Sequence, residues 1–322
     1  MRLKSMELAD IRYKVSAFLS NNTTLKGEKQ MNKEAMRQLI HEALSNKLGD
    51  GFQISIQKVL KTNVKLDGLV ILQEGQTITP TIYLEPFYKD LENGTPLDDV
   101  VDLILRIYSE TNIHPEHFDL TPITDFGCVK DMLYVQFINR HSNEELLQSV
   151  PHALFLDDFA ITVRCKVEMQ AEGDASFLVH NKHLDMWQTD CETLLSYALQ
   201  NTRKLFGVKL IKMKDLMQEI DPEKAADNLP DCPIWVMTNN RKLAGAATAL
   251  FDDTLKSFAE EHGSFYLVFS SVHEILLLPT PDDSDINIIT RINQEVNETQ
   301  VDADEVLGTK AYFYHKDRGF VL

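Results

Sequence analysis

Residues 263–279, GSFYLVFSSVHEILLLP, form an apolar run that breaks in its middle for Ser270, Ser271, His273 and Glu274. No other stretch constrains the fold as tightly. The run falls short of the roughly 18 uninterrupted apolar residues that a membrane-spanning helix needs, so it is expected as strand inside a protein core. Its polar side chains must then find partners, because a buried polar group without one costs about 1–3 kcal/mol. In a single strand Ser271 and His273 would share a face, while His273 and Glu274 would point to opposite faces. A Ser–His pair is therefore conceivable, and Ser271, His273 and Glu274 are candidate catalytic residues. The glycines of a nucleophile elbow are missing, however. The simpler reading has Ser270 and Ser271 marking a bend or bulge, with His273 and Glu274 each hydrogen-bonding a neighbouring module. The Leu-rich run could also be a sheet edge that pairs two copies into a homo-oligomer.

The rest of the chain sets the class. At 322 residues, 43% hydrophobic and 25% charged, it can bury a sizeable core in two or three modules. Its 49 acidic against 32 basic residues give a net charge of −17, which repels nucleic-acid phosphates and anionic membranes. No run of Lys and Arg builds a basic patch, so neither nucleic acid nor membrane is expected as a partner. An acidic nucleic-acid mimic stays as an alternative, and it would need carboxylates arrayed at phosphate-like spacing. Cys128, Cys165, Cys191 and Cys232 lie far apart with no CxxC pair, the pattern of free thiols in a reducing cytoplasm. With 13 glycines and neither GxGxxG nor a Walker loop, phosphate-cradling sites are not expected, and no cofactor or metal is implied.

Residues 1–30 carry six Lys or Arg against three Asp or Glu, a composition opposite to that of the body. Lys26-Gly27-Glu28 can be encoded by a purine-rich ribosome-binding sequence just ahead of the Met31 codon, so translation is expected to begin at Met31. A genuine short arm docking on the body is the alternative.

From Met31 a helix is expected with Met36, Leu39, Ile40, Ala43 and Leu44 on its apolar side, stopped by Gly49 and Gly51. FQISIQKVL, LDGLVIL and ITPTIYL read as a small antiparallel meander. A helix follows over TPLDDVVDLILRIYSE, with Thr95 as N-cap, Pro96 in the first turn and Asp98 and Asp99 at its positive end. A second module, 127–216, holds VKDMLYVQFINR, the long strands ALFLDDFAITVRCKV and ASFLVHNKHLDMW divided by a turn at Gly173, and the helix CETLLSYALQNTRKLF. In that helix Leu194, Leu195, Ala198, Leu199 and Leu205 form the buried side. Residues 217–233, acidic and broken by prolines, read as a linker. The third module, 234–322, is expected to be a β-α-β core with a covering helix. The fold class is α+β, with small antiparallel sheets covered by helices.

Other residues could carry chemistry. Asp157 and Asp158 could do acid–base work or bind a metal, but a bulge or strand entry explains them more simply. DDVVD resembles an aspartate-rich magnesium motif, yet its carboxylates are accounted for by the helix start. The pairs His114/His117 and His180/His183 have helical spacing but fall short of the three or four ligands zinc takes, and read as surface or capping histidines. Asn181, His183 and Trp187, where a strand hands over to a helix, are candidate ligand-binding residues.

LDGLVIL, ITPTIYLEPFY, VPHALFLDDFAI, LVHNKHLDMW, YALQNT, VMTNNRKLAGAATALF, SSVHEILLLP and VDADEVLGTKAYFY carry a resemblance to the DUF5688 family of clostridial bacterial proteins, over about residues 31–316. The family has no assigned activity, so the likeness implies none. From YALQNT onward the chain is also similar, in segment order, to the DUF1444 family, which has a different polar pair where His273 and Glu274 stand. The expectation is a cytoplasmic binding or regulatory protein that acts on a protein partner or small ligand. The alternative is a hydrolase-like enzyme, should folding gather Ser271, His273, Glu274, Asp157, Asp158, Asn181 and His183 into one cleft.

Overall fold

The computed structural model describes residues 32–76, 79–111, 121–168, 174–220, 234–279 and 286–321. The leader at 1–30, His114, His117, Gly173 and Cys232 lie outside the described residues. The chain divides into two compact units. The first takes in the described residues of Met1–Lys58, Asp67–Phe118 and Glu168–Ala175, and the second those of Val59–Leu66, Asp119–Val167 and Ser176–Leu322.

In the first unit α1 (Lys33–Leu48) begins where the Asn32 carboxamide accepts the Glu34 N–H. It buries Met36, Ile40 and Leu44, an i, i+4, i+8 row, and this phase leaves the expected core residue Leu39 exposed. β1 (Phe52–Lys61), β2 (Val64–Gln73) and β3 (Thr81–Tyr83) form a sheet in that order, as expected of the meander. α2 (Glu85–Glu92) was not legible in the sequence. α3 (Leu97–Thr111) starts one residue later than expected for a Thr95 cap, with the Pro96 carbonyl accepting the Val100 N–H. Leu69, Ile71, Phe87, Val101 and Ile104 join the α1 row in one core. At its border Asp67 is buried and accepts from Tyr88 Oη at 3.0 Å, with Lys58 Nζ 2.8 Å away. Burial alone would raise this carboxyl, but the bonds from Lys58 and Tyr88 hold it below the usual range.

The second unit contains two sheets. β4 (Leu133–Asn139), β5 (His152–Phe155) and β6 (Phe159–Glu168) are antiparallel in the order β4-β6-β5, and β7 (Asp174–Leu178) also pairs with β6. The stretch expected as one long strand, ALFLDDFAITVRCKV, is thus two strands folded back on each other at residues 156–158. Leu156 and Asp157 both take left-handed backbone angles there, φ 48° and 51°. α4 (Asn181–Trp187) and α5 (Cys191–Phe206) follow. α5 buries Leu194, Ala198, Asn201, Thr202 and Phe206, while the expected Leu195, Leu199 and Leu205 are only half-buried.

The larger sheet contains β8 (Lys209–Lys212), β9 (Trp235–Thr238), β10 (Phe265–Val268), β11 (Ile275–Pro279), β12 (Ala311–His315) and β13 (Gly319–Val321), in the order β13-β12-β10-β11-β9-β8. Between β8 and β9, α6 (Met213–Ile220) occupies the first four residues of the expected linker, 217–220. β9, α7 (Asp252–His262) and β10 make the expected β-α-β crossover, but β11 inserts between the two strands, so every adjacent pair is antiparallel.

The apolar run is accordingly two strands, and neither lies at an edge of the sheet, which removes it as an edge for pairing copies. Phe265 and Leu267 of β10 and Ile275 and Leu277 of β11 face the main core with Leu255 and Phe258 of α7. Tyr266, Val268, Leu276 and Leu278 face the other side with Ile289 of α8 (Ile286–Gln300). Cover on both faces is why the run does not alternate apolar with polar.

One irregular segment, residues 302–309, closes this unit. Its carbonyls are capped by asparagine side chains: Asn63 on Ala303 and Val306, Asn139 on Leu307, and Asn293 and Asn297 on Gly308. Asn63 sits at φ 62° and also exchanges hydrogen bonds with Asn143, 2.7 and 2.8 Å long. Replacing Asn63 with Ala is expected to lower stability by about 2–3 kcal/mol, since its side-chain bonds to Ala303, Val306 and Asn143 are lost and alanine disfavours the left-handed angle. Asn63→Gly should cost about 1 kcal/mol less, because glycine adopts the left-handed angle freely. Urea unfolding followed by tryptophan fluorescence checks both, since Trp187 and Trp235 each lie in this unit.

Candidate functional site

The polar island 270–274 occupies the connection between β10 and β11. The aromatic core positions it, with buried Phe269 packing on Phe159 at 4.7 Å immediately before the chain turns. Two loops then clasp it. Segment 302–309 runs beside it, with Leu307 N–H donating to Ser270 O and Val272 N–H to Glu305 O, both at 2.9 Å. On the other side are the end of β9 and the segment that follows it, from which Thr238 Oγ1 donates to His273 O at 2.7 Å and Ala246 N–H to Val272 O at 3.2 Å.

The side chains are spent in the same way. Ser271 is buried, and its Oγ accepts the His273 N–H at 3.0 Å while its hydroxyl hydrogen-bonds the Glu274 carboxylate. The His273 ring bridges the two loops. Its Nδ1 accepts the Ala244 N–H at 3.3 Å, and its Nε2 lies 3.2 Å from the Glu305 carboxylate. A backbone N–H can only donate, so Nδ1 is unprotonated and the proton sits on Nε2, directed at Glu305. Burial pushes Glu274 above the usual carboxylate range, with Glu305 adding to the effect; His273 and Ser271 act in the opposite direction. Ala244, at φ 52°, is a non-glycine residue in the left-handed region, which costs about 1–3 kcal/mol unless its surroundings hold it there. Its bond to His273 contributes to that hold.

Asp157 and Asp158 stand apart from the island, in the β5–β6 turn. Asp158 binds Lys310 Nζ at 2.8 Å, Tyr312 Oη, and His141 Nε2 at 3.2 Å. Burial would raise its carboxyl, but the Lys310 and Tyr312 bonds, the Lys310 charge and the His141 bond pull it below the usual range. Such a group stays ionised as an anchor for β12 and makes a poor proton carrier. Asp157 contributes its carbonyl to Arg140 at 3.3 Å.

The third group lies on α4. Asn181 is exposed and donates through Nδ2 to Gln148 O at 3.2 Å. His183 Nδ1 accepts the His180 N–H at 2.9 Å, a helix cap of the kind expected for this pair. The His183 ring stacks on Trp187 at 5.4 Å with 26° between planes, and Trp187 Nε1 donates to Ile123 O at 2.8 Å. Burial first, then the His180 and Lys182 charges, pull His183 down to about 4.

The structure thus brings together Ser271, His273 and Glu274, while Asp157 and Asp158, and likewise Asn181, His183 and Trp187, have their own partners. Among the described residues no group of three or more His, Cys, Asp or Glu could hold a metal ion. A model of a family of unknown function, DUF5688, matches residues 33–316. The chain belongs to the DUF5688 family. No curated protein and no solved structure matches it.

Several residues of this DUF5688 chain that complete the three groups had no readable signal in the sequence. Glu305 and Ala244 reach His273 from distant loops, and Lys310, Tyr312 and His141 reach Asp158 across the unit. Gly245 carried one only as part of a small-residue stretch. A Cβ there would lie 2.1 Å from Thr238 Oγ1 and 2.2 Å from His273 O. Gly245→Ala is therefore expected to lower stability by about 3 kcal/mol or more, because a backbone oxygen cannot step aside. Urea midpoints of the purified variant check it.

A second expectation concerns pH. A His depressed on folding leaves the unfolded chain binding the extra proton between the unfolded value near 6.5 and the folded value near 4, so stability falls as pH drops through that window. His183 should contribute about 1–3 kcal/mol of this loss. His183→Gln keeps a capping acceptor without a titrating ring, so its urea midpoint should fall less than the wild type's between pH 7.5 and 4.5.

Proposed function

We propose that this DUF5688 chain is a cytoplasmic protein that works by binding a protein partner or a small ligand, in a regulatory role, rather than by turnover. The observation that carries the reading is the commitment of the His273 ring: Nδ1 to the Ala244 backbone and Nε2 to Glu305. A serine hydrolase needs that imidazole on the serine hydroxyl, whereas here Ser271 is hydrogen-bonded to the His273 N–H and to Glu274. Asp158 and His183 are likewise spent on holding a strand and capping a helix. Among the described residues no helix is long and apolar enough to cross a membrane, which is compatible with that location.

Two measurements test the proposal together. Native mass spectrometry of the chain purified gently from cells that make it naturally should give a stoichiometric mass excess from a protein or organic small molecule, and the excess should survive chelator. A fluorophosphonate probe should leave Ser271 unlabelled. A bare subunit mass combined with Ser271 labelling that His273→Ala abolishes would overturn binding in favour of the hydrolase.

A further inference from the structure

The His273 ring sits between the turn after β9, which leads into a 3-10 helix at Gly245–Leu250, and the irregular segment 302–309, and it holds them with chemically different grips. Toward residues 239–246 it is an acceptor, through Nδ1 to the Ala244 N–H at 3.3 Å. Toward residues 302–309 it is a donor, through Nε2 to the Glu305 carboxylate at 3.2 Å. Only the neutral ring with its proton on Nε2 can do both. A second proton would go to Nδ1, where the Ala244 N–H already points, and two donors cannot share a hydrogen bond.

We propose that His273 is a proton-operated latch, closed when neutral, which releases the 242–246 loop when the imidazole is protonated while keeping its hold on Glu305. The charges around the ring suit that direction. Glu305 faces it from the 302–309 segment, and Glu274, the next residue, is coupled electrostatically to both. The loop on the acceptor side carries Arg241 and Lys242, and Lys242 Nζ lies 3.7 Å from Glu219. Protonation therefore strengthens the attraction on one side of the ring and removes the bond on the other.

The segment to be released holds strained backbone. Lys242 and Ala244 both hold left-handed backbone angles, φ 53° and 52°, which side-chain-bearing residues leave readily when a restraint is lost. Other restraints on the loop include the Asn239 side chain, which accepts the N–H groups of Arg241 and Leu243 and donates to Leu243 O, the Lys242 N–H bond to Asn239 O, the Ala246 N–H bond to Val272 O, and the packing of buried Ala244 with Tyr134 and Phe206. The packing of Ala244 and the Ala247 N–H bond to Ala244 O act on that residue too, but neither engages the Ala244 N–H, the group that His273 accepts. The ring is about one quarter exposed, so protons reach it without global unfolding.

The experiment is amide hydrogen exchange by NMR on the full chain between pH 5 and 8, expressed as protection factors so that the intrinsic pH dependence is removed, with the His273 ring nitrogens followed in parallel. The Ala244 amide should lose protection about tenfold, the worth of one net hydrogen bond, with the midpoint at which the His273 ring gains its second proton. The Gly263 amide, bonded to Ala259 O at the end of α7, serves as the reference and should not change. His273→Gln offers a neutral acceptor and donor that cannot titrate, so its Ala244 protection should be flat across the range. A ring that titrates while Ala244 stays protected would overturn the latch. So would a ring that stays neutral until the whole chain unfolds, or a Gln variant that opens with the wild-type midpoint. The wild-type measurement decides the matter by itself should the variant fold poorly.

Discussion

Segment 302–309 is buried in part yet belongs to no helix or sheet, so its peptide groups cannot be satisfied by a regular ladder. The structure depends on how that problem is met. Four asparagine side chains, from residues 63, 139, 293 and 297, reach its carbonyls, and the backbone of the polar island takes up others. The buried Asn293 and Asn297 oxygens find no hydrogen-bond partner among the described residues, but a carboxamide can donate to a carbonyl while its oxygen accepts elsewhere, as those of Asn63 and Asn139 do. Asn143 does so between the Asn63 side chain and the Asn63 N–H. Gly308 lets the segment lie close, since a Cβ there would come 3.0 Å from the Phe159 ring and 3.2 Å from Phe269 O.

The polar island follows from the same constraint. Two strands buried on both faces must be joined by a connection that is itself largely buried, and such a connection needs polar groups to pair with its neighbours. Ser270, Ser271, His273 and Glu274 interrupt the apolar run where the chain turns: the Ser270 carbonyl and the His273 ring meet the flanking segments, and Ser271 meets the His273 N–H and Glu274 within the island. The serines lie where the run turns, as expected, but His273 bonds Ala244 and Glu305 of its own 234–322 module rather than a neighbouring one, Glu274 pairs with Ser271, and the Ser271–His273 face shared along one strand is not formed, because residues 269–274 lie outside the strands. The same physics separates the other candidates. Asp158 is drawn to Lys310 and Tyr312, and His183 to the His180 N–H and Trp187, because a half-buried polar group takes the nearest partner that offsets its lost water.

The two sheets of the second unit show where local pattern fails. ALFLDDFAITVRCKV looks continuous because its turn carries no Gly or Pro and Leu156 is not a turn former, yet Leu156 and Asp157 both adopt left-handed angles so that β5 folds onto β6. Leu39, at the right spacing for the core of α1, is exposed because the buried face of the helix is centred on the Met36–Ile40–Leu44 row, with Ala43 and Leu48 beside it. In each case a contact distant in sequence chose between local options of similar energy.

By itself the sequence determined the class and most of the elements: an α+β chain, the helix from residue 33, the meander, the helix from Cys191, and an apolar run that had to be buried. Those follow from periodicity and from cap and turn residues, which act over a few positions. Tertiary structure alone decided that the run folds back as two interior strands, that β11 separates β9 from β10, and that His273 holds one tautomer between Ala244 and Glu305. Strand order and side-chain partnership are set by groups far apart along the chain, and their energies exist only once the chain has closed on itself.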